Sequence, residues 1–226
     1  MNERREFIRQ VSVIAAGTLV ASCADAQEAS APKPPAAPEP TTTYDMSWLE
    51  RLKGEYRTVF DAPAVSGGLC LQQVRNYLAG FKTVYGVTDA DVTAVLTIRH
   101  DAIPMVLGDT MWEDGTLGKA LRLNDPDTGK RTKRNPFLRL TEQSTHAIIA
   151  REAALDTLLE RGVIVLACDL ALRRLSGEVA ERMEVTPEEA RRMVKESVLP
   201  GVTVMPSGIF ATTRAQMAGC GFMYSA

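Results

Sequence analysis

The chain has 226 residues, 45% of them hydrophobic, and sets 26 basic against 28 acidic side chains for a formal net charge of −2. That balance fits one globular domain with appendages and offers no basic surface for nucleic acid, so no nucleic-acid partner is expected. Four cysteines and two histidines, widely scattered, make no zinc motif, so neither metal nor cofactor is expected; no apolar run is long enough to span a membrane.

The N-terminus reads as an export signal. Arg4 and Arg5, followed by Phe7, precede a moderately apolar stretch from Val11 to Ser22 that is too short and too rich in small residues for a transmembrane helix. The pattern resembles the twin-arginine signal, with Glu3 departing from its first position; general secretion is the alternative. Val20-Ala21-Ser22-Cys23 resembles a lipobox, which predicts lipidation of Cys23, whereas Ala24-Asp25-Ala26 fits ordinary cleavage. Residues 1–22 are therefore assigned to the signal. Residues 23–46, with Pro32, Pro34, Pro35, Pro38 and Pro40, form an extended tether of roughly 3 Å per residue. Such a protein resides in the periplasm or cell envelope and touches the membrane only through the lipid.

From residue 47 the pattern is α/β. Tyr56 to Phe60 is a candidate strand ended by Asp61-Ala62-Pro63, and Leu71, Val74, Leu78 and Phe81 recur at helical spacing. Asp91 to Arg99 is a second strand, with His100 directly after it, and a short helix runs from Ile103 to Leu107. Residues 108–140 interrupt the rhythm with Gly, Asp, Asn and Pro, a length that marks a lid or binding edge. The Lys130 to Arg134 run is a solvated surface or an attraction for an anion, and Trp112 either covers a pocket or packs in the core.

A helix is expected from Glu142 to Arg161, with Ile148, Leu155 and Leu159 on one face. His146 falls on its charged side. Gly162 stops it, and Val163-Ile164-Val165-Leu166-Ala167 forms an unbroken apolar run ending in Cys168-Asp169, the signature of a strand buried on both faces of a parallel sheet. Cys168 thus sits at the carboxyl end of a strand, where the next helix begins and favours an anion. That location inclines a thiol toward thiolate, while Asp169 opposes it; a small buried apolar residue is the plain alternative. A helix from Leu170 to Met183, a capping box at Thr186-Pro187-Glu188-Glu189 and a helix toward Ser197 follow. Gly201 to Pro206 is a fourth strand, Ser207-Gly208 turns into a helix through Gln216, and Phe222 to Tyr224 is the last strand. The expected architecture is three-layer: a mostly parallel sheet of about five strands with helices on both faces.

Several motifs coincide. Arg161-Gly162-Val163 leading to Ala167-Cys168, Leu199-Pro200-Gly201-Val202, Val204 to Gly208, Arg214-Ala215-Gln216 and Gly219-Cys220-Gly221-Phe222 together resemble the exported branch of the DsrE/DsrF-like family. Asn124-Asp125-Pro126 and Arg134-Asn135-Pro136-Phe137 extend the resemblance, which runs from Arg57 to the end. It implies a persulfide carrier or sulfurtransferase acting through Cys168, a small sulfur-containing donor or a partner protein thiol, and a homo-oligomer.

His100, at another strand end on the same sheet edge, raises the thiolate fraction or delivers a proton, unless it is a loop histidine bonded to backbone. Cys70 falls on that edge as a disulfide or resolving partner if its Cα lies within about 7 Å of that of Cys168. Ser207 and Gly208 begin a helix and present backbone N–H groups. Cys220 lies on the opposite edge if the last strand is parallel. Two further classes stay open: a non-catalytic ligand-binding or assembly module, and a thiol redox protein using Cys70 and Cys168.

Overall fold

The computed structural model describes residues 44–145 and 149–226. The signal residues Arg4, Arg5 and Phe7, the lipidation candidate Cys23, most of the tether, His146 and Ile148 lie outside them. Five strands make one sheet: β1 (Tyr56–Ala62), β2 (Val92–Ile98), β3 (Ile164–Cys168), β4 (Val202–Met205) and β5 (Gly221–Tyr224). Their order is β4-β3-β2-β1-β5, and every pairing is parallel. The three-layer α/β architecture expected from the sequence is therefore present.

Alternation along the strands divides the core into two layers. Phe60, Leu96 and Val165 pack with Leu71 and Val74 of α1 (Leu69–Tyr85), Leu117 of α2 (Thr116–Ala120) and Leu158 of α3 (Leu155–Glu160). Leu172 and Val179 of α4 (Asp169–Met183) and Val194 of α5 (Pro187–Glu196) complete that layer. On the opposite face Val59, Val95, Ile164 and Leu166 pack with Trp48 and with Ala211 and Ala215 of α6 (Gly208–Met217). All seven residues of β2 are buried, because both faces of this central strand are covered. Each fully buried Leu, Ile or Val contributes roughly 1.5–3 kcal/mol, so β2 anchors the sheet.

The crossovers fix where a site can form. From β1 to β4 the chain steps one way across the sheet with its helices on the first face; α6 then runs back over the other face, touching β1 to β4, and sets β5 beside β1. The helix after β3 and the helix after β4 therefore leave on opposite faces. Adjacent strands that part in this way open a crevice beyond their carboxyl ends.

Local differences from expectation have physical causes. Among the described residues the helix predicted from Glu142 is limited to α3, preceded by a 3-10 turn at Arg151–Ala153. Thr141 and Ser144 cap a turn there, but the Thr145 N–H, which a helix would give to the Thr141 carbonyl, donates to the carbonyl of Pro126, and the Ala150 N–H donates to Gln72 Oε1. The segment His100–Val106 is 3-10 rather than α, with Pro104 inside it. The packed domain begins inside the predicted tether, since Tyr44 donates to Asp169 and Met46 packs on the second core. Of the capping box, the N-cap half forms, the Glu189 N–H donating to Thr186 Oγ1, while the Glu189 carboxylate pairs with Arg192.

The 108–140 excursion is a packed lobe. Trp112 is fully buried, resolving that choice in favour of core, and Phe137 and Leu138 are buried with it. Arg134 of the basic run is tied to Asp125 and Asp127. Buried Asn135 donates through Nδ2 to the carbonyls of Met105 and Leu107, both at 2.8 Å, and accepts from the Phe137 N–H. Asn135→Leu removes all three bonds and leaves buried backbone groups unpaired. The expected cost is about 3 kcal/mol, seen in thermal melts as a Tm lowered by roughly 6–12 °C.

Candidate functional site around Cys168

Four residues singled out from the sequence converge on one pocket of 130 Å³: Cys168, His100, Ser207 and Gly208, with Arg99, Leu170, Ala171, Arg174 and Ile209 completing its lining. At about 30 Å³ per liquid water, the space suits a small group of a few heavy atoms. The pocket lies in the crevice between β3 and β4, because Cys168 pairs with Met205 and Ser207 follows two residues later. Cys168 is buried, 6% exposed, and lines this pocket.

Cys168 is also the N-cap of α4, in extended conformation and without a side-chain cap bond. α6 enters the same crevice, capped by Ser207, whose Oγ accepts from the Phe210 N–H at 3.1 Å. Two helices of 15 and 10 residues thus start at one pocket, and the positive ends of their dipoles favour negative charge there.

Two arginines line the pocket, both ion-paired with carboxylates. Arg99 Nε and Nη2 donate to both oxygens of Asp61 at 2.7 and 2.8 Å, a bidentate pair joining the ends of β1 and β2. Hydrogen bonding to Asp61 pushes the Arg99 guanidinium further up from its already high range, outweighing its burial. Arg174, on the pocket side of α4, donates to Asp101 at 2.7 Å. His100 follows β2 at the pocket rim with φ 47°, the left-handed region that residues other than glycine enter at a cost. It is exposed.

Gly208 is required by close approach. A Cβ at this position would meet Cβ and Cδ of Arg99 at 2.7 Å, so the start of α6 lies directly on the Arg99 side chain. The apolar rim is open: Leu170 and Ile209 are each 62% exposed.

The remaining cysteines are elsewhere. Cys70 does not line the pocket; it is 1% exposed in the first core layer, and burial pushes its thiol up to about 12. At neutral pH it is therefore a thiol, and Cys70, Cys168 and Cys220 are all free. Cys70 packs in the same core layer as Cys168, outside the pocket lining, and the two form no disulfide. β5 is parallel, which puts Cys220 at the opposite end of the sheet; burial pushes its thiol up as well. None of the 108–140 residues lines the pocket, so the lobe is not a lid over Cys168.

Asp169 does not face the thiol uncompensated, as the bare sequence suggested. Burial alone would push its carboxyl up, but hydrogen bonds and charge from Arg173 and Arg191 prevail and hold it below the usual carboxylate range. Because the folded state binds this proton less tightly than the unfolded chain, the stabilisation is present above the unfolded value near 4 and lost as pH falls through the lowered folded value. Asp169→Asn is expected to melt lower at neutral pH and to show a shallower acid limb below about pH 4 in a Tm-against-pH series.

Sequence reasoning missed Arg99, Arg174, Leu170 and Ile209. Leu170, Ala171 and Arg174 share one side of the first turns of α4, a spacing that could have found them once Cys168 was fixed at the helix start. Compared with protein-family models and with curated proteins, the chain has no match in either.

Proposed function

We propose that this protein is an exported DsrE-like sulfur carrier or sulfurtransferase acting through Cys168. The observation that carries the reading is the pocket itself: a thiol lining a cavity at the start of two helices, with Arg99, Arg174 and His100 around it. A thiolate is the attacking form of cysteine, and a sulfane-sulfur donor is itself an anion of the kind that the two helix N-termini at the pocket favour.

The chemistry balances with thiosulfate as donor. The Cys168 thiolate attacks the outer sulfur, the S–S bond to the sulfonate breaks, and sulfite departs with the electron pair, leaving a persulfide anion on Cys168. An acceptor thiolate then attacks the terminal sulfur and the Cys168 thiolate leaves, so no external oxidant or reductant is consumed. His100, exposed at the rim, handles the proton of an arriving thiol. The exposed Leu170 and Ile209 give an apolar landing for a partner protein thiol, and edge strand β5, with Phe222, Met223 and Tyr224 exposed, offers apolar surface for the homo-oligomer. Export and attachment through lipidated Cys23 are part of the same proposal and place its donors in the periplasm or envelope.

The test is sulfite release. Incubated with thiosulfate, the wild type is expected to liberate about one sulfite per chain in a first turnover, and Cys168→Ser none, while Cys70→Ser keeps the wild-type yield. Sulfite released equally by Cys168→Ser would refute the assignment. A second reading, a ligand-binding module using the same pocket, gains if the folded protein binds thiosulfate without releasing sulfite.

A further inference from the structure

A second cavity lies on the other side of the first turns of α4. It measures 640 Å³ and is lined by Tyr44, Asp169, Arg173, Arg191, Lys195 and Thr203, with Asp45, Val202 and Val204 at its margin. That volume is within the range of small-molecule sites. Its chemistry differs from that of the Cys168 pocket: three cationic side chains face two carboxylates, one positive charge in excess.

The carboxylates do not use up the cationic groups. Asp169, with its side chain 4% exposed, accepts from Arg173 Nε at 2.9 Å, from Arg191 Nη2 and from the Tyr44 hydroxyl at 3.2 Å. It thereby fixes two guanidinium planes while occupying one nitrogen of each. Arg191 Nη1 is buried and has no hydrogen-bond partner, a costly state for a charged donor. The Lys195 ammonium, one turn after Arg191 on α5, has no hydrogen-bond or ion-pair partner among the described residues. The Thr203 side chain on edge strand β4 adds a hydroxyl.

A buried acid that orients two arginines, an orphaned guanidinium nitrogen and an unpaired lysine at one cavity are the parts of an oxyanion site. We propose that this cavity binds a small molecule through a phosphate- or sulfate-type group, held by Arg173, Arg191 and Lys195. The cavity is far larger than one such group, so the ligand has a body that extends along Tyr44 and the β4 edge. The site is independent of sulfur transfer at Cys168.

The experiment is isothermal titration calorimetry of the full chain with inorganic phosphate and with sulfate at low ionic strength, using Lys195→Glu and Cys168→Ser. Saturable binding is expected for at least one probe, weakened about tenfold or more in Lys195→Glu and unchanged in Cys168→Ser. Lys195 is exposed and unpaired, so the variant keeps its fold, which a thermal melt verifies. Failure of both probes to bind overturns the proposal. So does binding that Lys195→Glu leaves intact, which would place the anion elsewhere, including the Cys168 pocket. Loss of sulfite release in Cys168→Ser bears only on the sulfur reading, so the two can fail separately.

Discussion

Asp61→Ala is expected to destabilise the protein by about 3–5 kcal/mol, the usual cost of leaving one member of a buried ion pair without its partner. The Asp61 and Arg99 side chains are 7% and 14% exposed, and the pair is bidentate, so the guanidinium has little water to turn to. The loss would appear as a shift of the urea midpoint with an unchanged slope. The site would suffer too, since Arg99 loses the carboxylate that holds it beside the crevice. Asp61→Asn is expected to be milder, because an amide oxygen can still accept one of the two hydrogen bonds. A variant with wild-type stability would show that the pair holds nothing together.

Gly208→Ala carries the second large effect, and it falls on the site. The added methyl would lie 2.7 Å from Arg99 Cβ, an atom near the backbone that cannot swing aside as a side-chain tip can. Either α6 lifts from the sheet edge or Arg99 is pushed toward Cys168. Overpacking of this kind costs about 1–3 kcal/mol. The pocket closes or tilts with it, so alkylation of Cys168 by a small anionic reagent such as iodoacetate is expected to slow by about tenfold while the fold survives. Unchanged alkylation would mean that the approach of α6 to Arg99 does not shape the pocket.

Much of this arrangement is legible in the sequence because it depends on local signals. The unbroken apolar run into Cys168 fixes a strand buried on both faces, and the glycine at 162, with φ 89°, marks the end of the helix before it. Ser207 is a helix cap in sequence and in structure. Placing His100, Cys168 and Ser207 at one sheet edge follows from each lying at or just after the end of a strand in an all-parallel sheet. What is not legible is long-range. Asp61 reads as a strand terminator, yet it lies within β1, and only the partner strand reveals that it faces Arg99. Asp169 reads as a charge beside the thiol, whereas Arg191, 22 residues away, helps turn it to the other side of α4. The over-long helix from Glu142 shows the opposite failure: apolar spacing suggested helix, but the Thr145 and Ala150 N–H groups go to Pro126 and Gln72, partners distant in sequence.

The central claim is that Cys168 carries sulfur, and intact-protein mass spectrometry after incubation with thiosulfate or polysulfide tests it most directly. The account predicts that wild type gains the mass of one sulfur atom, that reductant removes it, and that Cys168→Ser never acquires it. A wild type that takes up no sulfur, with Cys168 resisting alkylation in the folded state, would contradict the account and leave the crevice as a binding pocket.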